Sequence, residues 1–434
     1  MITNNNVIGI IADDLTGAND SALQFHLQGS NTQILLSNDV EPLDIDVTQT
    51  WAISTESRNV TPHDAYEKVK DTASMFVETL KPDYFYKKID STVRGNIAVE
   101  TLGILEILGW DAAVIIPAFP TEGRITVGGY HLLKGVPIER TEMARDPHSP
   151  TCESHLPTLM KCQLPEELHS IIGAIELSTI MKGAGPILMK MNELINEGKK
   201  LIVCDSVSSV DIEQVALAIT KSDYKILPSG TAAGARAFSK IWVYENEKNE
   251  EKEPLPNLPK LIVSGSATQI NSNQIEKLEQ SELFINDRLI ISLDLLTILG
   301  GVKDELVEQI VSALNEKRFV LVHTANLIKN YSGIEEETLR AELTKAELAS
   351  VITDFLSELT KRVIQRKELI LITLGGETSF KCCAQIGATQ LKLVDEVASA
   401  IALSKANNGQ WIVTKSGNLG NPETLIDILK YFDK

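Results

Sequence analysis

Two adjacent carboxylates, Asp13 and Asp14, follow a short apolar run and precede Leu15-Thr16-Gly17-Ala18. One carboxylate suffices to cap a helix, and Asp14 or Thr16 could do so by accepting from free amides. Two side by side at a strand end cost repulsion, which points instead to acid–base work or Mg2+ binding. A second segment, Lys87-Lys88-Ile89-Asp90-Ser91-Thr92-Val93-Arg94-Gly95-Asn96, places Lys87, Lys88 and Arg94 within eight residues, beside a carboxylate and two hydroxyls. Cations and hydroxyls bind a small anion, and a carboxylate orients or deprotonates its hydroxyl. Arg58, in Ser54-Thr55-Glu56-Ser57-Arg58, offers a fork for a substrate carboxylate.

A different chemistry recurs later in the chain. Ser264-Gly265-Ser266-Ala267-Thr268, Thr373-Leu374-Gly375-Gly376-Glu377-Thr378-Ser379 and Thr414-Lys415-Ser416-Gly417-Asn418-Leu419-Gly420 are turns rich in Gly, Ser and Thr. Such turns let backbone amides and hydroxyls approach phosphate oxygens closely. No G-x-x-x-x-G-K-[ST] or G-x-G-x-x-G occurs, which excludes an ordinary P-loop and counts against a dinucleotide site. H-E-x-x-H and G-x-S-x-G are also absent. His148 lies in a proline-bounded loop that could serve a cleft or simply a turn.

These residues need elements to hold them. Short apolar runs at Val7–Ala12, Gln33–Leu36, Trp51–Ile53, Tyr84–Lys88, Ala112–Pro117 and Leu201–Cys204 read as buried strands. Leu261–Val263, Leu289–Ser292, Phe319–His323, Leu369–Leu374 and Trp411–Thr414 read likewise. Amphipathic stretches such as Lys303–Asn315 and Glu335–Gln365 alternate with them. The pattern predicts an α/β fold of two domains with largely parallel sheets flanked by helices. Ligands then belong at the carboxyl ends of the strands, where the motifs above fall. The charged, proline-bearing stretch Glu245–Lys260 divides the chain into residues 1–243, a linker 244–260, and residues 261–434.

The 434 residues carry 41 Lys plus Arg against 59 Asp plus Glu, a net charge of −18. That excess argues against a nucleic-acid partner and against an anionic membrane surface. No stretch approaches the roughly 20 apolar residues of a spanning helix. The N-terminus has no basic leader, and five cysteines cannot form a complete disulfide set, so a cytoplasmic protein with reduced thiols is expected. The clustered cations predict a locally basic site within an acidic chain.

The chain resembles the four-carbon acid sugar kinases. The resemblance rests on Ile11-Ala-Asp-Asp-Leu-Thr-Gly-Ala18, Lys87–Asn96, Pro117-Ala-Phe-Pro-Thr-Glu-Gly-Arg124, Ala144-Arg-Asp-Pro147, Val263-Ser-Gly-Ser266, Leu374-Gly-Gly-Glu-Thr378 and Ser416-Gly417. It implies an N-terminal acid-sugar-binding domain, a C-terminal ATP-binding domain and an active site in the interdomain cleft. The reaction implied is phosphorylation of the terminal hydroxyl of a four-carbon sugar acid, with ATP and Mg2+. By resemblance Asp13, Arg58, Lys88, Ile89, Asp90 and Ser91 contact the substrate; Asp14 and Arg94 join them on the residue reading. Ser264, Ser266, Gly375, Gly376, Glu377, Thr378 and Gly417 are assigned to ATP. Asp13 and Asp90 both qualify as general base, and the Mg2+ ligands stay open. Lys-Ile-Asp-Ser-Thr-Val-Arg is more similar to the D-threonate or D-erythronate branch than to the 3-oxo-tetronate branch, the alternative substrate class. Two other classes compete: a regulator that binds both ligands without turnover, and a sugar-acid dehydrogenase. A homo-oligomer stays open as a further partner.

Overall fold

A computed structural model describes residues 6–433 except Val40, Asp46, Pro147, 244–253, Ala267, Asn326 and 328–342. The acidic half of the expected linker, Pro147, Ala267 and positions 335–342 of the expected long helix therefore lie outside the described residues. The chain forms two compact units, Met1–Lys248 and Asn249–Lys434. Among the described residues, no helix is long and apolar enough to cross a membrane.

The first unit is built on β1 (Ile8–Ala12), β2 (Thr32–Leu35), β3 (Thr50–Ser54), β4 (Tyr84–Lys88) and β5 (Ala112–Ile116). An antiparallel trio follows, β6 (Arg124–Val127), β7 (Tyr130–Leu133) and β8 (Val136–Pro137), then β9 (Ile172–Ile175), β10 (Leu201–Cys204) and β11 (Ile226–Gly230). The main sheet runs β2-β3-β1-β4-β11-β5-β10-β9 with every pairing parallel. Each residue of β1, β3 and β5 is buried, as expected of strands covered on both faces. Ile11, Trp51, Ile53, Phe85, Ile104 and Ile115 share one core with helix faces such as Val69 and Phe76.

The second unit is built on β12 (Lys260–Ser264), β13 (Arg288–Ser292), β14 (Phe319–His323), β15 (Ile370–Leu374), β16 (Gln390–Ala398), β17 (Ile401–Ala406) and β18 (Trp411–Lys415). Its order is β13-β14-β12-β15-β18-β17-β16, parallel as far as β18 and antiparallel across the β16–β17–β18 pairings. The amphipathic stretches form helices at Asp304–Glu316 and Lys345–Ile364. Every apolar run singled out in the sequence is a strand. Thus both units are α/β with mainly parallel sheets, as expected.

The connectivity fixes where ligands can reach. In the first unit, β1 lies between β3 and β4: the connection from β1 runs to the β2–β3 side, and the connection from β3 runs to β4 on the other. In the second, β12 lies between β14 and β15 in the same manner. Such a switch point opens a crevice at the carboxyl ends of the central strands. Ala12 is in register with Ser54 and Lys88, so the loops after β1, β3 and β4 start level with one another.

Candidate functional site

Those three loops bring Asp13, Arg58 and Asp90 together. The Arg58 guanidinium donates to both oxygens of Asp13, at 2.8 Å from Nε and 3.0 Å from Nη2. Its Nη1 donates to Asp14 Oδ2 at 2.6 Å, and Nη2 stands 3.9 Å from Asp90 Oδ1. Arg94 repeats the fork on Asp90, at 2.9 and 3.1 Å, and reaches Asp146 Oδ2 at 2.7 Å. The fork that sequence offered to a substrate carboxylate is thus already engaged by Asp13. Gly95 makes this possible: its φ is +81°, and a Cβ there would sit 2.9 Å from Arg58 Cγ.

Asp14 also caps the helix Leu15–His26, accepting from Gly17 N at 2.8 Å. The capping reading therefore holds for Asp14, while Asp13 is held by the Arg58 fork. Lys88 Nζ faces Asp20 Oδ1 at 3.6 Å beside the same helix start, where a Cβ on Gly17 would meet it at 2.8 Å. Ile89 turns its side chain into the core, and its amide donates to Gly230 O at 2.9 Å, so what it offers a ligand is main chain. Ser91 Oγ accepts from Arg124 Nη1 at 2.8 Å, which brings the β6–β7 hairpin onto the same loop. Beneath the loops, Lys87 and Glu100 form a fully buried pair at 2.6 Å, and Ser57 Oγ donates to Glu100 at 2.7 Å. That pair ties β4 and the helix Ile97–Leu108 to the turn carrying Arg58.

In the second unit, three turns follow the neighbouring strands β12, β15 and β18. Thr268 Oγ1 donates to Gly417 O at 2.6 Å, and Ser266 Oγ lies 3.2 Å from Thr268 Oγ1. A Cβ on Gly417 would fall 2.0 Å from Ser266 Oγ. Ser264 Oγ accepts from Asn271 Nδ2 at 2.7 Å, and Ser379 Oγ donates to Gly375 O at 2.8 Å. Gly376 opens the ten-residue helix Gly376–Gln385, whose first amides sit at the end of β15. Glu377 turns aside to Thr353 Oγ1 at 3.1 Å and Lys381 Nζ at 3.5 Å. All seven residues expected at the nucleotide fall on these three turns.

Residues 8–238 match the sugar-binding N-terminal domain, and residues 261–425 match the nucleotide-binding C-terminal domain of one family. The chain belongs to the four-carbon acid sugar kinases. Over 97% of its length this kinase is 28% identical to the D-erythronate kinase of Heliobacterium modesticaldum, of which it covers 96%. It is 26% identical to the D-threonate kinase of Salmonella typhimurium over 98% of each chain. A solved Salmonella typhimurium structure shares its fold at a TM-score of 0.78 and 21% identity, covering 97% of this kinase and 98% of that chain.

The electrostatics of the kinase's first site differ from the basic patch that sequence predicted. Asp13, Asp14, Asp20, Asp90 and Asp146 face Arg58, Lys88, Arg94 and Arg124, so charges alternate with no cationic excess. Counting cations along a segment missed carboxylates supplied by other elements. Burial alone would raise Asp90, but Arg94 and Arg58 hold its carboxyl well below the usual range. Asp14 is lowered too, as Arg58 and Lys88 outweigh its burial. Burial pushes Glu56 up to about 8; it accepts from Leu15 N at 3.0 Å and has a left-handed φ of 45°. Val93, in the Asp90–Gly95 loop, also lies in that region at 54°. Strain of this kind collects at functional loops.

Several of these groups lay beyond the sequence reading. Asp20, Glu56, Glu100, Arg124 and Asp146 are brought in by helices, a hairpin and loop folding; Glu56, Arg124 and Asp146 lie within motifs noted above without a role of their own, and Asp20 and Glu100 lie outside them. The backbone amide of His148 donates to Asp146 Oδ1 at 3.0 Å. No group of three or more His, Cys, Asp or Glu able to hold a metal occurs among the described residues. Every oxygen of Asp13, Asp14 and Asp90 already accepts a hydrogen bond. This donor set does not fit a resident Mg2+ cage.

Proposed function

We propose that this kinase transfers the γ-phosphoryl group of ATP to the terminal hydroxyl of D-erythronate or D-threonate. The observation that carries the reading is the pair of forked ion pairs, Arg58 on Asp13 and Arg94 on Asp90, at the switch point of a sheet matched to sugar binding. A tetronate presents one carboxylate and a row of hydroxyls. Its hydroxyls can donate to the second lone pairs of Asp13 and Asp90, while Lys88 and Arg124 supply cations for its carboxylate. Asp14, Ile89 main chain, Ser91 and Arg94 complete the contact set. Clamped carboxylates have fixed directions, and fixed directions distinguish hydroxyl stereochemistry.

On the nucleotide side we assign Ser264, Ser266, Gly375, Gly376, Glu377, Thr378 and Gly417 to ATP. Amides and hydroxyls on three converging turns can surround phosphates without a lysine-bearing P-loop. Mg2+ enters with ATP as its counterion, offsetting phosphate charge, and is not held in a protein cage. Use of ATP places the work of the enzyme in the cytoplasm. The test is an ADP-release assay, with mass detection of product, across D-erythronate, D-threonate, L-threonate and 3-oxo-tetronates. One of the two D-acids should show the highest kcat/KM. A 3-oxo-tetronate outpacing both would reassign the substrate class. Tetronates that raise Tm with no phosphorylated product would leave a regulator in place of an enzyme.

A further inference from the structure

The geometry points to Asp20 as the group that takes the proton from the acceptor hydroxyl, a role resting on the kinase reading above. The two carboxylates that the sequence nominates are poorly placed to receive a proton. Both oxygens of Asp13 face the Arg58 fork, and both oxygens of Asp90 face the Arg94 fork. Thr92 adds its amide and hydroxyl to Asp90 Oδ2. Protonating either carboxyl would oppose a guanidinium held in a buried pair, so these groups suit orientation better than proton transfer.

Asp20 is built differently. It stands on the second turn of the helix Leu15–His26, with Oδ1 accepting from Ser21 Oγ at 3.2 Å and facing Lys88 Nζ at 3.6 Å. Among the described residues Oδ2 has no hydrogen-bond donor, and no arginine forks the group. Its side chain is 18% exposed, against 4% for Asp13 and 9% for Asp90. Lys88 from β4, Asp14 and Arg58 from the loops, Tyr86 beneath and Arg124 from the hairpin are the charged and titratable groups that face it. Burial pushes its carboxyl up to about 6 against the pull of Lys88, close to the value an efficient base needs near neutrality.

The step balances without a further reagent. The substrate O–H bond breaks as its proton passes to Asp20 Oδ2, the hydroxyl oxygen bonds to the γ-phosphorus, and the bridging P–O bond breaks to release ADP. Lys88 remains beside the neutralised carboxyl and keeps its own partner in the substrate.

Asp20→Asn decides the matter, with Asp20→Glu as the variant that restores a base. Asp20→Asn should lose about 100-fold in kcat on the preferred D-tetronate. Its KM for that acid should stay within about threefold. The wild-type fall in kcat below pH 6 should vanish in Asp20→Asn and persist in Asp20→Glu. An Asp20→Asn enzyme that keeps its kcat and its acid limb, or that loses only KM, overturns the assignment in favour of a positioning role on Lys88. Infrared difference titration, wild type minus Asp20→Asn, reads the carboxyl without turnover. A band with midpoint near pH 6 is expected, and none above pH 5 overturns the inference. Failure of every tetronate to turn over would sink the kinase reading separately.

Discussion

The two candidate sites use the same backbone device with opposite materials. Each sits at the carboxyl ends of parallel strands, where the chain departs on both sides of a central strand. Around β1 the loops carry long charged side chains locked into forked pairs. Around β12 they carry glycine and hydroxyls whose side chains barely extend. A sugar acid must be told from its stereoisomers, which calls for donors and acceptors at fixed angles. Triphosphate oxygens are alike in every nucleotide, so close main-chain approach serves them well.

The comparison breaks most visibly at Arg58. Arg58→Ala strands Asp13 and Asp14 without their shared cation, and a buried pair cut on one side costs about 3–5 kcal/mol. Denaturant unfolding at pH 7 should register that loss together with near-complete loss of tetronate turnover. Arg58→Lys keeps the charge without the fork, and should recover stability before activity. Unchanged stability in Arg58→Ala would mean that the pairs do not organise the site.

A smaller and more local effect is expected in the second unit. In Gly417→Ala the new methyl would overlap Ser266 Oγ at 2.0 Å. The KM for ATP should rise about tenfold, equivalent to about 1.4 kcal/mol, with the tetronate KM unmoved. Adding Ser266→Gly should remove the clash and recover part of the loss. If both KM values rise together, the division of labour between the sites fails.

Much of the first site could be read along the chain because strand ends bring whole segments to one place. Asp13, Arg58 and Asp90 each follow a recognisable apolar run, so their convergence needed only a parallel sheet. Asp20 lies within a helix, Glu100 on a buried helix face, and Arg124 opens strand β6 of a hairpin; none follows the carboxyl end of a strand of the main sheet. Their meeting depends on helix rotation and hairpin packing, which periodicity does not encode. Among the strands, β11 escaped notice because Ile-Leu-Pro-Ser-Gly has proline and glycine where a central strand is expected to have neither. It is nonetheless buried between β4 and β5. The β16–β17 hairpin escaped because charged residues interrupt its alternation.

The weakest expected effect concerns Glu56. Its carboxyl keeps its proton in the fold up to about 8, whereas in the unfolded chain it ionises near 4.5. Between those values the folded state holds the extra proton, so stability falls as pH rises through that window. Glu56→Gln should flatten this slope between pH 5 and 8 in thermal melts. An unaltered slope would show that Glu56 is ionised in the fold, and would add one more negative charge beside Asp14.

The shared level of Ala12, Ser54 and Lys88 gives the molecule a polarity in its tolerance of length change. One residue inserted into β1, β3 or β4 would slide a single loop against its neighbours by roughly 3.3 Å and turn the following side chain to the opposite face. The same insertion at the amino ends, in the connections before those strands, would leave the forks aligned. Divergence within such a chain has room to lengthen one rim of the sheet and almost none to lengthen the other.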